Sequence, residues 1–404
     1  MKTSKKYSIK FLLGVLLFTG ASVSNAAVNV QCPGDTMDNS VSTLPDTQCM
    51  HLTSGDGFAT MADGTVRYIF GFADVTGGRT QTQKQKDLII TKGILAAQWP
   101  APTIELQEGE EFYLNLTNVG MLVRPDLFDP HTVHFHGFPQ SSVVFDGLPE
   151  SGVSINMGST LTYYYKLNDP GTYMYHCHVE ATEHMQMGML GSLYVKPAQN
   201  GTDFGGYTQF AYNDGDGSTG YDVEYPIQLG SFDSAFHDAS ETVQPLPFAL
   251  MRDDYPMING RGYPDTADGR TNAFPPTVGS GANGSNNLVR TSQNVSSLIR
   301  ANQGEKVLLR ISNLAITRYY TLQSYGIKMK VIGKDAKILR SPDGTKDLYY
   351  DTNSVTLGGG ESADVILDTT GVAPGTYVLS TSNLNYLSNA EEPFGGMMTE
   401  IRIN

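Results

Sequence analysis

Residues 108–118 read EGEEFYLNLTN, and residues 303–313 read QGEKVLLRISN. Each stretch opens with a turn, continues with apolar side chains that alternate along one face of a strand, and ends at an asparagine. Further along the chain, DPGTY at 169–173 is matched by APGTY at 373–377. Because both motifs recur in the same order and at nearly the same offset, the sequence indicates two copies of one β-sheet unit.

The composition of the chain agrees with a β-rich protein. The chain has 404 residues, enough for two or three domains, and contains 43 Gly and 22 Tyr but only 17% charged residues. This composition excludes a disordered chain, a coiled coil and collagen. Helical periodicity is weak throughout. We therefore predict an all-β protein that consists of two tandem β-sandwich domains.

The repeat and the loops around it predict the domain organisation. We expect the first domain at 60–198 and the second domain at 222–404, joined by a linker at 199–221 that is rich in Gly, Asp and Ser. An N-terminal extension at 27–59 precedes the first domain. The second domain is expected to lack metal ligands, because its copy of the repeat continues from Tyr377 as VLSTS.

The N-terminus has the pattern of an export signal. Four lysines precede an apolar run at 11–18, and small residues at 24–26 offer a cleavage site. The run is too short to span a bilayer stably, so residues 1–26 are expected to be removed, leaving no membrane span. We expect the mature protein in the periplasm or secreted.

The net charge of the chain indicates which classes of binding partner are unfavourable. Acidic residues outnumber basic residues by 41 to 27, which gives a formal net charge of −14. A surface of this sign repels nucleic acids and anionic lipids, and it tolerates cationic partners and metal ions. We therefore expect no nucleic-acid partner.

The chain contains three cysteines. Cys32 and Cys49 lie close together near the mature N-terminus, and an oxidising compartment favours a disulfide between them. Cys177 is then left unpaired. A lone thiol in an exported protein is buried, reactive or bound to a metal.

Six of the eight histidines fall in one short part of the chain, namely His131, His134, His136, His176, His178 and His184. Side chains alternate along a strand, so the two imidazoles of His176-Cys177-His178 share one face while the thiol points to the opposite face. His134 and His136 share a face for the same reason. One strand is therefore predicted to serve two sites.

On the thiol side of that strand, the available partners of Cys177 are His131, His184 and Met189. Two imidazoles, a thiolate and a weak thioether form the donor set that prefers copper in an electron-transfer site. Two histidines and a cysteine also suit zinc, but the methionine is a poor zinc ligand. The sequence therefore favours copper.

On the other face, four imidazoles come together, those of His134, His136, His176 and His178. Four buried neutral histidines without a metal would each need hydrogen-bond partners. We therefore predict a second copper site here, rather than a polar surface cluster.

Other patterns are interpreted as structural. His51 and His237 stand apart from the cluster, and His237 is expected to have a structural role. The glycines of GSGANG at 279–284 match a dinucleotide-binding pattern, but prolines precede them and polar residues follow, so we interpret this segment as a loop. Met185 and Met187 are expected to pack in the interior.

These motifs resemble the multicopper oxidase family, a part of the cupredoxin superfamily that includes laccases and copper nitrite reductases. HTVHFHG at 131–137 and HCH at 176–178 carry the likeness. The segment at 99–104 resembles the opening strand of the family's first domain, and NGRGY at 259–263 resembles its metal-free middle domain. The resemblance covers most of the mature chain and implies two tandem cupredoxin-like Greek-key β-sandwich domains.

The resemblance also implies roles for the site residues. His131, Cys177, His184 and Met189 are similar to the family's type 1 copper ligands, and His134, His136, His176 and His178 are similar to half of its type 2/type 3 cluster. In the family, a reductant gives electrons to type 1 copper, and they cross the His-Cys-His segment to reduce dioxygen to water. The implied reductant is a small molecule, a metal ion or a redox protein.

The chain departs from the family pattern in its ligand count. A full type 2/type 3 cluster takes eight histidines in the family, and this face offers four. The type 1 motif lies in the first domain, whereas laccases carry it in the last. Two facing first domains would supply eight imidazoles, so we expect a homo-oligomer, a trimer or an even-numbered assembly.

Two other functions remain open. One is a cupredoxin electron carrier or copper-handling protein without oxidase activity, because the second cluster is incomplete. The other is a copper nitrite reductase-like enzyme, in which His136 and His176 would hold the catalytic copper. The region 300–404 offers no third histidine for such an enzyme, and His134 stands where its catalytic aspartate is expected. Glu180 and Glu183 lie close to His184 in the sequence, where acidic groups could attract cationic electron donors. The alternative is that both glutamates form a solvated face of the loop.

Overall fold

The computed structural model describes residues 31–78, 89–268, 295–390 and 392–404. The predicted export signal at 1–26 and the glycine pattern at 279–284 lie outside these residues. Within them, none of the helices has the length and apolar character needed to cross a bilayer. A disulfide joins Cys32 to Cys49, the pairing that the sequence predicts, and Cys177 is a free, buried thiol.

The N-terminal half forms two sheets of four strands each. Its strands are β1 (Thr47–Thr60), β2 (Val66–Asp74), β3 (Ala101–Gln107), β4 (Glu111–Gly120), β5 (His134–His136), β6 (Thr160–Lys166), β7 (Gly171–His176) and β8 (Leu190–Lys196). One sheet has the order β2-β1-β4-β6, and the other has the order β3-β8-β7-β5. Aromatic side chains fill the core of this half, where the rings of Phe135 and Tyr165 stack with their centroids 4.1 Å apart.

The predicted N-terminal extension contributes to this fold. Strand β1 covers residues 47–60 and pairs in parallel with β4, so that Cys49 lies opposite Tyr113. It also pairs with β2 in an antiparallel ladder. Most of β1 therefore lies before residue 60, where the sequence places the start of the first domain. The pattern of its side chains did not reveal it, because β1 is buried on both faces and does not alternate.

The C-terminal half repeats this arrangement with more strands. They are β9 (Val223–Phe232), β10 (Tyr255–Ile258), β11 (Ile299–Ala301), β12 (Lys306–Asn313), β13 (Tyr320–Tyr325), β14 (Met329–Lys334), β15 (Lys337–Ile338), β16 (Tyr350–Thr352), β17 (Ser354–Leu357), β18 (Glu361–Asp368), β19 (Gly375–Thr381) and β20 (Met398–Ile403). One sheet has the order β10-β9-β12-β18-β14-β15, with β16 beside β14, and the other has the order β11-β20-β19-β13-β17.

The two halves share one topology. In both, a parallel pair (β1 with β4, β9 with β12) is followed by an antiparallel neighbour (β6, β18). In both, the opposite sheet places a parallel pair (β3 with β8, β11 with β20) beside antiparallel strands, two in the N-terminal half and three in the C-terminal half. The predicted fold class, two tandem cupredoxin-like Greek-key β-sandwiches, is confirmed. Residues 199–221, between the two halves, form neither helix nor strand.

The asparagine at the end of each repeated motif forms the same hydrogen bonds in both halves. The side-chain amide of Asn118 donates to the carbonyl of Ile155 at 2.9 Å, and that of Asn313 donates to the carbonyl of Leu357 at 2.8 Å. Each amide oxygen accepts a backbone N–H two residues later. Strand β12 ends at Asn313, as the sequence predicts, whereas β4 continues two residues beyond Asn118 to Gly120. In both halves the asparagine side chain satisfies backbone groups near the end of the ladder.

The tyrosine of the second repeated motif also has one role in both halves. The hydroxyl of Tyr173 donates to the carbonyl of Asp169 at 3.1 Å, and that of Tyr377 donates to the carbonyl of Ala373 at 2.8 Å. A tyrosine that bonds back to the backbone a few residues upstream fixes a corner between two sheets. The motif therefore sets the angle at which β7 and β19 enter their sheets.

Two short α-helices lie wholly within the described residues, α1 (Ala181–Met187) and α2 (Ser234–Ser240). Four 3₁₀ segments also lie within the described residues, at Val143–Phe145, Phe248–Leu250, Asp265–Ala267 and Leu384–Leu387. Helix α1 begins directly after the His-Cys-His segment, and Glu180 before it has a left-handed backbone with φ of 45°. This turn directs the helix back across the end of β7.

Candidate metal centres

The pairing of β5 with β7 places the histidines together. His134 lies opposite His176, and His136 lies opposite Met174 in this antiparallel ladder. Cys177 follows the last residue of β7, and its backbone N–H donates to the carbonyl of Met189 at 3.0 Å. Because successive side chains leave a strand on opposite faces, the thiol of Cys177 and the imidazoles beside it serve different sites.

The first site is the Cys177 cluster, which comprises His131, Cys177, His184 and Met189. The Sγ of Cys177 lies 3.4 Å from Nδ1 of His184 and 3.8 Å from Nδ1 of His131. The backbone N–H of Thr132 points to the same sulfur at 3.5 Å. All four side chains of the cluster are fully buried. Sulfur and two imidazole nitrogens thus converge in a space closed to water.

The ionisable groups of the Cys177 cluster act strongly on one another. Burial acts to lower the pKa of His184, but the negative charges of Cys177 and Asp129 outweigh it and raise that pKa to about 10. Burial lowers the pKa of His131 well below its usual value, and the charge of His184 adds to the effect. Two histidines with one cysteine and a methionine form the donor set that suits copper. The donor set therefore fits copper.

The second site is the histidine tetrad, which comprises His134, His136, His176 and His178. One ring nitrogen from each of the first three lies within 4.8 Å of the others. The ring of His178 has its centroid 5.2 Å from that of His134 and 5.5 Å from that of His176. The sequence prediction that these four side chains meet on one face therefore agrees with their placement.

Backbone carbonyls orient two rings of the tetrad. Nδ1 of His134 lies 2.6 Å from the carbonyl of Asp146, and Nδ1 of His176 lies 2.9 Å from the carbonyl of Cys177. Each bond assigns the proton to Nδ1 and leaves Nε2 as the nitrogen with a free lone pair. This is how proteins orient imidazole ligands of metals.

Three rings of the tetrad, those of His134, His136 and His176, are held in the neutral form that metals bind. Burial lowers the pKa of His176 to about 3. Burial also lowers the pKa of His134 and of His136, although Asp146 opposes the shift at His134. Since a metal competes with protons for imidazole nitrogens, a lowered pKa makes the lone pairs available at neutral pH. The tetrad therefore also fits copper.

A cavity of about 320 Å³ opens above the tetrad and is walled by both halves of the chain. The first half contributes the four imidazoles and one face of α1, and the second half contributes two loops of small or apolar residues, among them Leu314, Ile316 and Gly360. A Cβ at Gly360 would lie 2.7 Å from Nε2 of His136. The absence of a side chain at Gly360, where φ is +90°, is what allows the second half to approach the tetrad.

Two carboxylates near the clusters were not singled out from the sequence. Oδ2 of Asp129 lies 3.7 Å from Nε2 of His184, and Oδ1 of Asp146 lies 3.5 Å from Nδ1 of His134. Asp129 lies two residues before His131 in the sequence. This proximity to a candidate ligand could have identified Asp129 as a residue of the site. The pairing of Asp146 with His134 depends on a loop and carries no local signal.

The two isolated histidines lie in structural environments. His237 contacts the carbonyl of Tyr68 through Nδ1 at 2.5 Å and the carbonyl of Gln186 through Nε2 at 2.9 Å. Both ring nitrogens are thus occupied by backbone groups, in agreement with the predicted structural role. His51 is buried in β1, where its Nε2 lies 2.8 Å from the hydroxyl of Thr117.

Comparison with known proteins connects both halves to one family. Residues 79–200 and residues 239–401 each match the family described as multicopper oxidase. The chain is 31% identical over 118 residues to the multicopper oxidase MCE of Talaromyces pinophilus, which covers 29% of the chain and 17% of that protein. It is 24% identical over 326 residues to Laccase-5 of Arabidopsis thaliana, which covers 79% of the chain and 46% of that protein. The chain spans less than half the length of these curated relatives.

Among solved structures, the fold is similar to that of the blue copper oxidase of Nitrosomonas europaea. The TM-score is 0.62 at 23% sequence identity, and the match covers 87% of this chain and 85% of that chain. At this identity the likeness concerns the fold. It agrees with the two β-sandwiches described above.

Proposed function

Because the chain belongs to the multicopper oxidase family, we propose that it is an exported oxidase that accepts electrons at the Cys177 cluster and delivers them to dioxygen at the histidine tetrad. The chain is an oxidoreductase, and copper is its cofactor. The observation that carries the proposal is the position of Cys177. Its thiol belongs to one cluster, and its neighbours His176 and His178 belong to the other.

Each cluster has a distinct part in this proposal. His131, Cys177, His184 and Met189 would hold a type 1 copper, and the histidine tetrad would hold type 2/type 3 copper. Bound copper supplies one-electron chemistry, accepting electrons from a reductant and giving them to dioxygen, which becomes water. The chain supplies fixed ligands, and the burial of the Cys177 cluster excludes water from it. A rigid, dry donor set limits rearrangement between oxidation states.

The backbone of residues 176–178 provides the connection between the clusters. A single peptide unit separates Cys177 from either neighbouring histidine. The carbonyl of Cys177 also accepts the Nδ1 proton of His176 at 2.9 Å, which adds a hydrogen-bonded contact to the covalent one. These short links support electron transfer between the clusters.

The cavity above the tetrad supports dioxygen as the acceptor. Among the described residues that line it, none has a carboxylate, a lysine or an arginine side chain. Leu314 and Ile316 instead offer an apolar wall, which suits a small neutral molecule better than an anion. Nitrite reduction is the less supported alternative, because nitrite is an anion and the described lining offers no lysine or arginine to attract it.

The surroundings of His184 support a cationic reductant. Asp129, Glu180 and His184 place one ligand atom each within 4.8 Å of the others. Glu183 in the same helix is half-buried, and its pKa is raised by burial despite the charge of His184. Acidic groups at this position attract small cations or the basic surface of a redox protein.

The ligand count supports a homo-oligomer. The tetrad offers four imidazoles, and the C-terminal half adds none to the cavity within its described residues. A neighbouring subunit would supply the rest of a larger copper cluster, in a trimer or an even-numbered assembly. An export signal at 1–26 would deliver this assembly to the periplasm or the medium, where the Cys32–Cys49 disulfide persists.

Copper stoichiometry combined with oxygen uptake tests this proposal. We expect intense blue absorption, a near-ultraviolet band from coupled coppers, and oxygen consumption with a phenol or an amine dye. The same sample in size-exclusion chromatography should elute as an oligomer. Blue absorption with one copper per chain and no oxygen uptake would instead identify an electron carrier or copper-handling protein, and a colourless metal-replete sample would refute the Cys177 cluster.

A further inference from the structure

Helix α1 presents a different face to each of the two clusters. Ala181, Thr182 and Met185 line the cavity above the histidine tetrad, while His184 is buried in the Cys177 cluster. This division follows from the helical period, since positions 181, 182 and 185 fall within about 100° of arc, at about 100° per residue. Position 184 falls outside that arc. The helix therefore separates the two clusters and touches both.

Met185 is the one soft donor in the described wall of the cavity. The other lining residues offer imidazole nitrogens, the hydroxyl of Thr182, or apolar and glycine surface. Met185 is half-buried and also packs against a cluster of buried apolar side chains, which fixes its position. An apolar side chain such as leucine would fill the same space. Methionine adds a thioether to the lining of the cavity that the imidazoles share.

We propose that the thioether of Met185 is a further ligand for copper at the histidine tetrad and that it favours the reduced ion. The proposal rests on copper binding by the tetrad. Three imidazoles, those of His134, His136 and His176, converge within 4.8 Å. The thioether of Met185 would add one sulfur to these three nitrogens, and thioether sulfur selects Cu(I) over Cu(II).

Removal of the thioether should change the binding of Cu(I) but not that of Cu(II). Imidazole binds both ions, whereas a thioether adds affinity mainly for Cu(I). Replacing Met185 by leucine keeps the volume and removes the sulfur. We expect Met185→Leu to weaken Cu(I) binding at the tetrad about tenfold and to leave Cu(II) binding unchanged, which lowers the reduction potential by about 59 mV for a one-electron couple.

The test uses the full chain with the Cys177 cluster filled by Hg(II), a redox-inert ion that thiolates bind. Copper then occupies the tetrad alone, and absorption at the copper K-edge reports only its own neighbours. We expect a sulfur scatterer in the Cu(I) form of the unaltered chain and its loss in Met185→Leu. Anaerobic competition with a chromophoric Cu(I) chelator measures the affinity change.

Met187→Leu is the matched control, because Met187 lies on the same helix and is buried in the core of the N-terminal half. It should retain the sulfur scatterer and the Cu(I) affinity. Nitrogen-only scattering in the unaltered chain, or equal Cu(I) affinity in Met185→Leu, would show that Met185 is a packing residue. The spectrum of the unaltered chain decides this even if the variant does not fold. Absence of oxygen uptake would refute the proposed oxidase function and leave this result standing.

Discussion

The two halves of the chain build the same backbone frame around different side chains. In the N-terminal half, the N–H of Cys177 donates to the carbonyl of Met189 at 3.0 Å. In the C-terminal half, the N–H of Thr381 donates to the carbonyl of Met397 at 2.9 Å. Both methionines are fully buried. Thr381 thus stands where the first half has its thiol, and a methionine is present at the same place in each.

The aromatic rings of the two halves correspond as well. The rings of His131 and His184 have centroids 4.9 Å apart, and those of Tyr320 and Tyr386 have centroids 5.1 Å apart. The backbone N–H that follows each loop bonds back in the same way, from Met189 to the carbonyl of His184 and from Met397 to that of Tyr386. The C-terminal half therefore has two phenols where the Cys177 cluster has two imidazoles.

The tetrad also has a counterpart without metal-binding groups. His134 pairs with His176 across β5 and β7, and at the corresponding place Gln323 pairs with Ser380 across β13 and β19. Hydroxyls and amides are weak ligands for copper. The comparison teaches that the frame does not depend on the metal. A few side chains at fixed backbone positions decide which half can hold it.

The largest expected effect comes from removing the sulfur that distinguishes the halves. Cys177→Ser should abolish blue absorption and oxygen uptake, because serine is a hard, weakly acidic donor that cannot replace a thiolate. The matched control is Thr381→Ser at the corresponding position, which should leave both unchanged. Visible spectra and oxygen consumption of copper-loaded protein measure the outcome. Retained colour in Cys177→Ser would show that the copper lies elsewhere.

A transplant of ligands should convert the second frame into a copper site. Tyr320→His, Thr381→Cys and Tyr386→His, combined with the native Met397, reproduce the donor set of the Cys177 cluster. We expect one additional copper per chain and stronger blue absorption, because the backbone positions already correspond. Metal analysis and visible titration with copper check this. Unchanged stoichiometry in a folded variant would show that the second frame is too rigid or too tightly packed to accept the ion.

The halves differ again in the strand that carries the first repeated motif. Arg310 of β12 is fully buried, donates to Glu224 at 2.8 Å, and lies 3.7 Å from Asp364. Arg310→Leu should cost about 3–5 kcal/mol of unfolding free energy, because it removes the buried positive charge that faces Glu224 and Asp364 and leaves the buried Asp364 with hydroxyl partners alone. Asn115, at the corresponding position of β4, is uncharged, and Asn115→Leu should cost less, about 1–3 kcal/mol. Chemical denaturation measures both changes in unfolding free energy. Equal changes would contradict the larger contribution that we assign to the buried charge of Arg310.

The smallest expected effect is a change in how the stability of the metal-free N-terminal half depends on pH. Burial lowers the pKa of His51 to about 3, against 6.5 for an unperturbed histidine. Between these values the unfolded chain binds a proton that the folded chain does not, so stability falls as the pH decreases through this window. His51→Gln should reduce the proton uptake on unfolding by about one. Urea denaturation from pH 7 to pH 4 tests this, and a slope identical to that of the unaltered chain would contradict it.

Much of the candidate site was accessible from local sequence. The alternation of side chains along a strand assigns Cys177 and its neighbouring histidines to opposite faces without knowledge of the fold. The repeated motifs predict two β-sandwiches, and the hydrogen bonds of Asn118 and Asn313 show why both copies keep the same residue. Assignment of copper to particular ligands stays a prediction that the spectra and stoichiometry will test.

Features that depend on distant contacts were not accessible in this way. Strand β1 was placed in an extension because a strand buried on both faces has no alternating pattern. Neither the approach of Asp146 to His134 nor the position of Met185 above the tetrad is encoded in spacing along the chain. The correspondence of Tyr320 with His131 also required the register of β13 and β19.

The amino-acid order thus specifies which donor atoms exist, how they alternate and that one peptide segment joins two clusters, because these properties are local and covalent. Packing of the C-terminal half onto the N-terminal half supplies the apolar wall of the cavity and the close approach of Gly360 to His136. These contacts join residues more than one hundred positions apart. They follow from burial of both sandwiches against each other, so they exist only once the chain has folded.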